Sequence, residues 1–245
     1  MKRCFPQLLL AALAACSAPE KPAPPPPPRP RPVVPGPDIG ALTDSTAPAA
    51  LRAYGRQYPG SEVLLHTRLG DIRLRLYDDT PVHRANFLLL VRKGVFDETV
   101  FNRVVRGFAI QGGQTAEVRS IRLRRYRLPP EIRAAHFHRR GALGMARYDD
   151  EQNPGRLSSN TDFYLIQGEK YSPAQAAAAA GRRLSPAQQR AYTEVGGTPS
   201  LDGQYTVFGE ITQGLDVLDK IAAVPVNAQD HWPDEEVRIR AEVVR

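Results

Sequence analysis

Between Glu62 and Tyr77 the chain reads EVLLHTRLGDIRLRLY, and Val63, Leu65, Ile72, Leu74 and Leu76 recur at every second position on either side of Leu69-Gly70-Asp71. Strand side chains point alternately to opposite faces, so this spacing describes a hairpin with one apolar face, turning at Gly-Asp. From Pro81 to Lys93 the spacing becomes helical. Ala85, Phe87, Leu88, Leu89 and Val91 give one broad apolar side, and Gly94 supplies the stop. Near the other end, Leu215, Val217, Leu218 and Ile221 form a second helical stripe that ends at Pro225, and VRIRAEVV alternates again. Strand, helix, many strands, helix, strand is the order of a closed barrel plugged by two helices, an arrangement that leaves no exposed sheet edge.

The stretch FNRVVRGFAIQGG, Phe101 to Gly113, sets a permanently charged side chain inside an apolar run. Phe101, Val104, Val105, Phe108 and Ile110 are strand formers, and a half-buried strand has no obvious use for a guanidinium among them. Gln111 then precedes Gly112-Gly113, a pair that permits close backbone approach or positive φ. On the residues alone, an edge strand with Arg103 on its solvated face is favoured over a functional site.

The whole stretch resembles the central motif of the cyclophilins, the peptidyl-prolyl cis-trans isomerases. Upstream, DTPVHRANFLLLVRKGVFDETVFNRVV is similar to that family's spacing before the arginine; downstream, GALGMARYDDEQNPGRLSSNTDFYLIQG and LDGQYTVFGEI resemble its second and third motifs. The three segments stand in the family's order and span about Glu62 to Val244. The resemblance implies a mostly β fold, a closed eight-stranded antiparallel cyclophilin-like barrel capped by two helices, acting as a monomer on proline-containing polypeptides without cofactor or metal. It makes Arg103 the catalytic residue. Phe108, Ala109, Met145, Tyr164 and Leu201 are expected to form the proline pocket, and Gln111 with Ala146 to bind the peptide backbone. Arg147 and Asp162 stand where the family commonly has Asn and Gln, which is expected to place a charge pair near the peptide. Asn102 precedes the arginine where cyclophilins usually carry His, Ala109 replaces a larger residue and loosens the pocket, and Tyr205 takes a position that is often His. Ser200 occupies the place of a Trp used by many members for cyclosporin, which implies weak inhibition. Two other functions fit the same resemblance: a proline-peptide-binding or holdase module that does not turn its ligand over, and an envelope lipoprotein using the barrel only as an interaction surface.

Tyr171 to Gly197 interrupts the family pattern. Ser172-Pro173 and Ser185-Pro186 each place an N-cap before a proline at the first helical position, and Gly181 and Gly196 supply stops, so a helical hairpin is expected as an insertion. It leans over one end of the groove as a lid, or it is a tolerated surface insertion.

At the start, residues 1–15 have the basic beginning Lys2-Arg3 and a short apolar core. That core is too short to span a bilayer, which takes roughly 20 residues of helix, so it reads as a secretory signal. Leu13-Ala14-Ala15-Cys16 resembles a bacterial lipobox. Cys16 then becomes the lipidated first residue, the partner is a membrane reached through acyl chains, and Ser17 points to the outer membrane, facing the periplasm. The other reading is an ordinary secretory signal. With Cys4 lost in the signal, the exported chain keeps a single cysteine and no internal disulfide. Residues 16–38 form a proline-rich tether of polyproline II type, reaching on the order of 60 Å. Residues 39–61 are expected to hold a short helix near Ser45–Gln57, and residues 62–245 the isomerase domain. The net charge of +7 concentrates between Arg119 and Arg140. In an exported lipoprotein this argues against nucleic acid and leaves strand outer faces or a membrane surface. His136 and His138 lack a third metal ligand of suitable spacing and read as surface or turn residues.

Overall fold

The computed structural model describes residues 36–97, 99–114 and 126–244. The expected signal, Cys16, nearly all of the tether, and Arg119, Arg122, Arg124 and Arg125 of the basic run lie outside the described residues.

Helix α1 (Ala47–Gln57) buries Leu51 and Tyr54 beside helix α2 (Pro81–Arg92). Arg92 fastens the pair by donating to the carbonyls of Tyr58 and Pro59 at 2.8 and 2.7 Å. Strands β1 (Glu62–Thr67) and β2 (Gly70–Leu76) form the hairpin, with Leu65 opposite Ile72 and Val63 opposite Leu74. The turn itself falls on Arg68-Leu69 rather than on Gly70-Asp71. Thr67 decides this: its Oγ1 accepts from Leu69 N–H and donates to the Gly70 carbonyl, which closes a two-residue loop. Gly70 opens β2 at φ 129°, where an added Cβ would come within 2.7 Å of Val217.

The remaining strands are β3 (Thr99–Val105), β4 (Ala109–Gln114), β5 (Arg127–Leu128), β6 (Ala142–Met145), β7 (Ser158–Ser159), β8 (Phe163–Ile166), β9 (Val207–Gln213) and β10 (Arg238–Val243). Eight of them close an antiparallel barrel in the order β1-β10-β3-β4-β8-β6-β9-β2, while β5 and β7 pair as a separate ribbon. This is the closed eight-stranded antiparallel barrel that the resemblance implied. Helix α2 lies against β10, and helix α5 (Leu215–Ala222) against β2, β3 and β4. Inside, Phe87, Phe96, Phe101, Phe163 and Phe208 form an aromatic group with ring centroids 5.0 to 6.2 Å apart in tilted and edge-on pairs. All five side chains are fully buried, and such pairs add specificity to the burial of a large apolar area.

The first turn of α2 is capped from a distance. Glu131 accepts the N–H groups of Val82 and His83 at 3.1 and 2.9 Å, and His83 Nδ1 at 2.7 Å. Two orphan donors and the positive helix end are thereby satisfied by one carboxylate. Burial disfavours its charge, but these bonds outweigh burial and hold the carboxyl below its ordinary range. His83 Nε2 meets Ser158 Oγ at 3.0 Å. Serine, imidazole and carboxylate in line suggest a nucleophile and base, but Ser158 is 1% exposed and His83 not at all. This array is a structural clasp between α2 and β7.

The insertion folds as the helical hairpin expected, with α3 (Pro173–Ala180) and α4 (Pro186–Glu194) each opened by a serine capping box. It carries its own small core of Ala176, Leu184 and Tyr192.

Candidate active site

Strand β3 solves the problem posed by its arginine with one extra residue. Phe101 pairs with Gly112 and Arg103 with Gln111, so the register shifts at Asn102. Strict alternation would turn residues 101 and 103 to the same side. The bulge sends Phe101 and Val104 into the barrel while Arg103 faces outward. Gln111 in turn pairs with Tyr164 of β8, and Tyr164 with Gly144 of β6. Directly paired residues share a face with Cβ atoms about 4.5–5.5 Å apart, so Arg103, Gln111 and Tyr164 form a row across the outer wall. Arg103 is exposed and Gln111 half-buried; Tyr164 is 6% exposed. Among the described residues no ion pair engages Arg103. Beside it, Asn102 Oδ1 is buried without a hydrogen-bond partner among the described residues.

A satellite apolar cluster sits on this wall, outside the barrel core. Ala109 and Tyr164 belong to it, and Phe108, Ala146, Leu201 and Tyr205 pack against it half-buried. Six of the expected substrate-binding residues are therefore brought together by β4 and β8, the turn before β4, the residue after β6 and the loop before β9. Leu201 stands on a 3-10 turn, Pro199–Leu201, that α3 packs against.

Four expectations change. Met145 is fully buried in the interior cluster, paired with Phe163 of β8, so it lies behind the outer-wall cluster instead of in it. Arg147 and Asp162 do not form a charge pair. The Arg147 guanidinium bonds Asp150 at 2.7 Å and the carbonyls of Gln204 and Tyr148 at 2.9 and 2.8 Å. It lies 4.5 Å from the Tyr205 ring centroid as a cation–π contact. Asp162 has local partners, accepting from Thr161 Oγ1 at 3.3 Å while its N–H donates to Ser159 Oγ. The N–H of Ala146 donates to the Asp162 carbonyl at 2.7 Å and so is not offered to a peptide. Fourth, His138 is no surface residue.

His138 is fully buried between Asp202 and the groove. Its Nδ1 lies 3.0 Å from Asp202 Oδ1, and its Nε2 2.8 Å from the Tyr164 hydroxyl. Burial pushes the imidazole below its ordinary 6.5, against the hydrogen bond and charge of Asp202, which pull it up. Burial likewise keeps the Tyr164 phenol protonated, far above its ordinary range. Tyr205 also faces the ring, and Arg182 and Tyr192 approach through Asp202. The unfolded chain takes up a proton on this histidine below pH 6.5 where the folded chain resists it. Its contribution to stability is therefore complete above that pH and declines as pH falls beneath it. The thermal midpoint is expected to fall from about pH 7.5 to about pH 5.5, and His138→Gln to flatten that slope. Equal slopes in the two proteins would contradict the assignment.

Between α4 and the barrel lies a separate cavity of about 410 Å³ walled by Tyr77, His136, Ala187 and Ala191, with Glu210 held by Arg75 and Arg139. Tyr77 also packs against the apolar cluster of the outer wall, so the cavity and that cluster meet at this ring.

A sealed barrel whose outer wall carries an arginine, an amide and a shallow apolar patch defines a protein that grips a chain on its surface rather than one that swallows a ligand. Residues 62–243 match the cyclophilin type peptidyl-prolyl cis-trans isomerase family, and the chain belongs to that family and its enzyme class. It is 35% identical over 189 residues to a Streptococcus pyogenes protein named as a candidate bifunctional phosphatase/peptidyl-prolyl cis-trans isomerase, with 74% of this chain and 38% of that protein covered. It is 31% identical over 176 residues to a candidate peptidyl-prolyl cis-trans isomerase of Staphylococcus saprophyticus, with 70% of this chain and 86% of that one covered. The crystal structure of a Cryptosporidium parvum cyclophilin type isomerase shares the fold at a TM-score of 0.54 and 22% identity, covering 76% of this chain and 98% of that one.

Proposed function

We propose that the protein assists the folding of exported or envelope polypeptides by turning the peptide bond before proline, from a bacterial envelope to which lipid on Cys16 tethers it. The row of Arg103, Gln111 and Tyr164 on one wall, beside Phe108, Ala109 and Leu201, carries this reading. Rotation about the amide faces about 18–20 kcal/mol because the nitrogen shares its lone pair with the carbonyl. In the half-turned bond that sharing is lost and the nitrogen becomes an acceptor. A guanidinium above it then donates a bond that the planar ground state hardly offers, which is differential binding of the transition state. Arginine suits the task because it stays protonated and presents a rigid fork of donors. The apolar patch gathers the proline ring, and Gln111 holds backbone on one side while the other turns. The step needs neither nucleophile nor proton transfer.

The envelope tether rests on the sequence MKRCFPQLLLAALAAC. Exchange spectroscopy on a short X-Pro peptide is expected to show catalysis by the wild-type protein, and Cys16→Ser to move it from the membrane fraction to the soluble one. Peptide binding without exchange would favour the holdase reading, and an unchanged fractionation would remove the lipid.

A further inference from the structure

Asp202 is a buried hub whose carboxylate takes three of its five hydrogen bonds among the described residues from the insertion and two from His138. Its Oδ2 accepts from the Tyr192 hydroxyl at 2.8 Å, Gln188 Nε2 at 3.1 Å and Arg182 at 3.3 Å. Its Oδ1 accepts from the His138 N–H at 2.9 Å and faces His138 Nδ1. A carboxylate accepts only, so Nδ1 carries the proton and Nε2 is left to accept the Tyr164 hydroxyl. The chain of bonds therefore runs from the inserted hairpin to the outer wall without a break, and apart from the exposed Arg182 its side chains are shut from water: His138 and Tyr192 are fully buried, and Gln188 is 5% exposed.

Tyr164 needs such a hold. Its ring lies against Gly144, where an added Cβ would stand 2.3 Å from ring and hydroxyl atoms. Gly144 itself therefore offers no side chain to fix the ring from below. It meets Tyr205 edge-on at 6.1 Å, and Arg147 rides on Tyr205, so the orientation of one ring passes to the next along the groove. An anchored hydroxyl removes rotamer freedom before a peptide arrives, and freedom already lost is not lost again on binding.

We infer that His138 and Asp202 are positioning residues for the peptide groove, and that the insertion at 171–197 is the buttress that sets them through Tyr192, Gln188 and Arg182. This rests on the groove reading above and adds to it a role for the insertion: neither lid nor passive loop, it tunes which peptides the wall accepts by fixing Tyr164.

The test compares the full chain with Tyr192→Phe, Tyr164→Phe and the double variant. Tyr192→Phe deletes one bond to Asp202 and touches nothing in the groove; Tyr164→Phe deletes the hydroxyl that His138 accepts. Thermal unfolding first establishes that each is folded, and exchange spectroscopy on an X-Pro peptide then gives kcat and KM. Each single variant is expected to raise KM about 3- to 10-fold with kcat nearly unchanged, since what is lost is ordering of the bound site. The double variant should be no worse than the poorer single one, because both act through one hydroxyl. Long-range nitrogen spectra should show His138 protonated at Nδ1 alone, and Tyr164→Phe should shift Nε2. With wild type active and Arg103→Ala not, singles within twofold of wild type, losses that multiply, or a proton on Nε2 would each overturn the buttress and leave the isomerase reading intact. A wild-type chain without turnover would overturn both.

Discussion

Replacing Arg103 by alanine is expected to lower kcat/KM for an X-Pro peptide by about 10- to 150-fold, the worth of one charge-assisted hydrogen bond of about 1.5–3 kcal/mol made only in the transition state. The loss should fall on kcat and kcat/KM together, with peptide affinity nearly kept. The thermal midpoint should hardly move, because the side chain is exposed and no described ion pair depends on it. Arg103→Lys separates charge from geometry: lysine keeps the charge but not the planar fork, so most of the loss should remain. A variant retaining a third or more of wild-type turnover would sink the mechanism, whatever the family.

Asp202→Ala should be the most damaging single change to stability. Its side chain is 1% exposed and answers donors from His138, Arg182, Gln188 and Tyr192. Deleting it strands several buried donors at once, each costing about 1–3 kcal/mol when left without a partner, although part is recovered by relaxation. A loss of about 3–5 kcal/mol follows, or a fall in thermal midpoint on the order of 10 °C at roughly 2–4 °C per kcal/mol. Asp202→Asn, which still accepts through one oxygen, should lose less. A midpoint for the alanine variant within about 2 °C of wild type would mean the hub holds nothing together.

How far these features could be read from the sequence varies with the distance of their causes. Parity is local, so the alternation of Val63, Leu65, Ile72 and Leu74 sufficed for the hairpin, and only the turn was misplaced, because the Thr67 hydroxyl chose it and not the glycine. The two serine-proline caps announced the insertion equally well. Arg103 was conspicuous for the same local reason, but the bulge that turns it outward has no signature in its own strand; it exists only in the register with β4. Arg147 took Asp150, three residues away, in place of the expected Asp162. His138 could not be recognised as buried at all, since its partner Asp202 lies 64 residues further on. The residues that set the groove's shape were thus the least visible, while those facing it were legible through the family resemblance.

A ring of strands with no free margin has a further bearing on the folding role proposed above. A half-folded polypeptide cannot zip itself onto the barrel ladder, because every strand of the barrel already has a neighbour on both sides. Its hold must come from side chains alone, a purchase that is shallow, indifferent to most of the guest's sequence and quickly surrendered. In the folding role proposed above, such a barrel would offer an unfinished chain no strand edge of its own to extend.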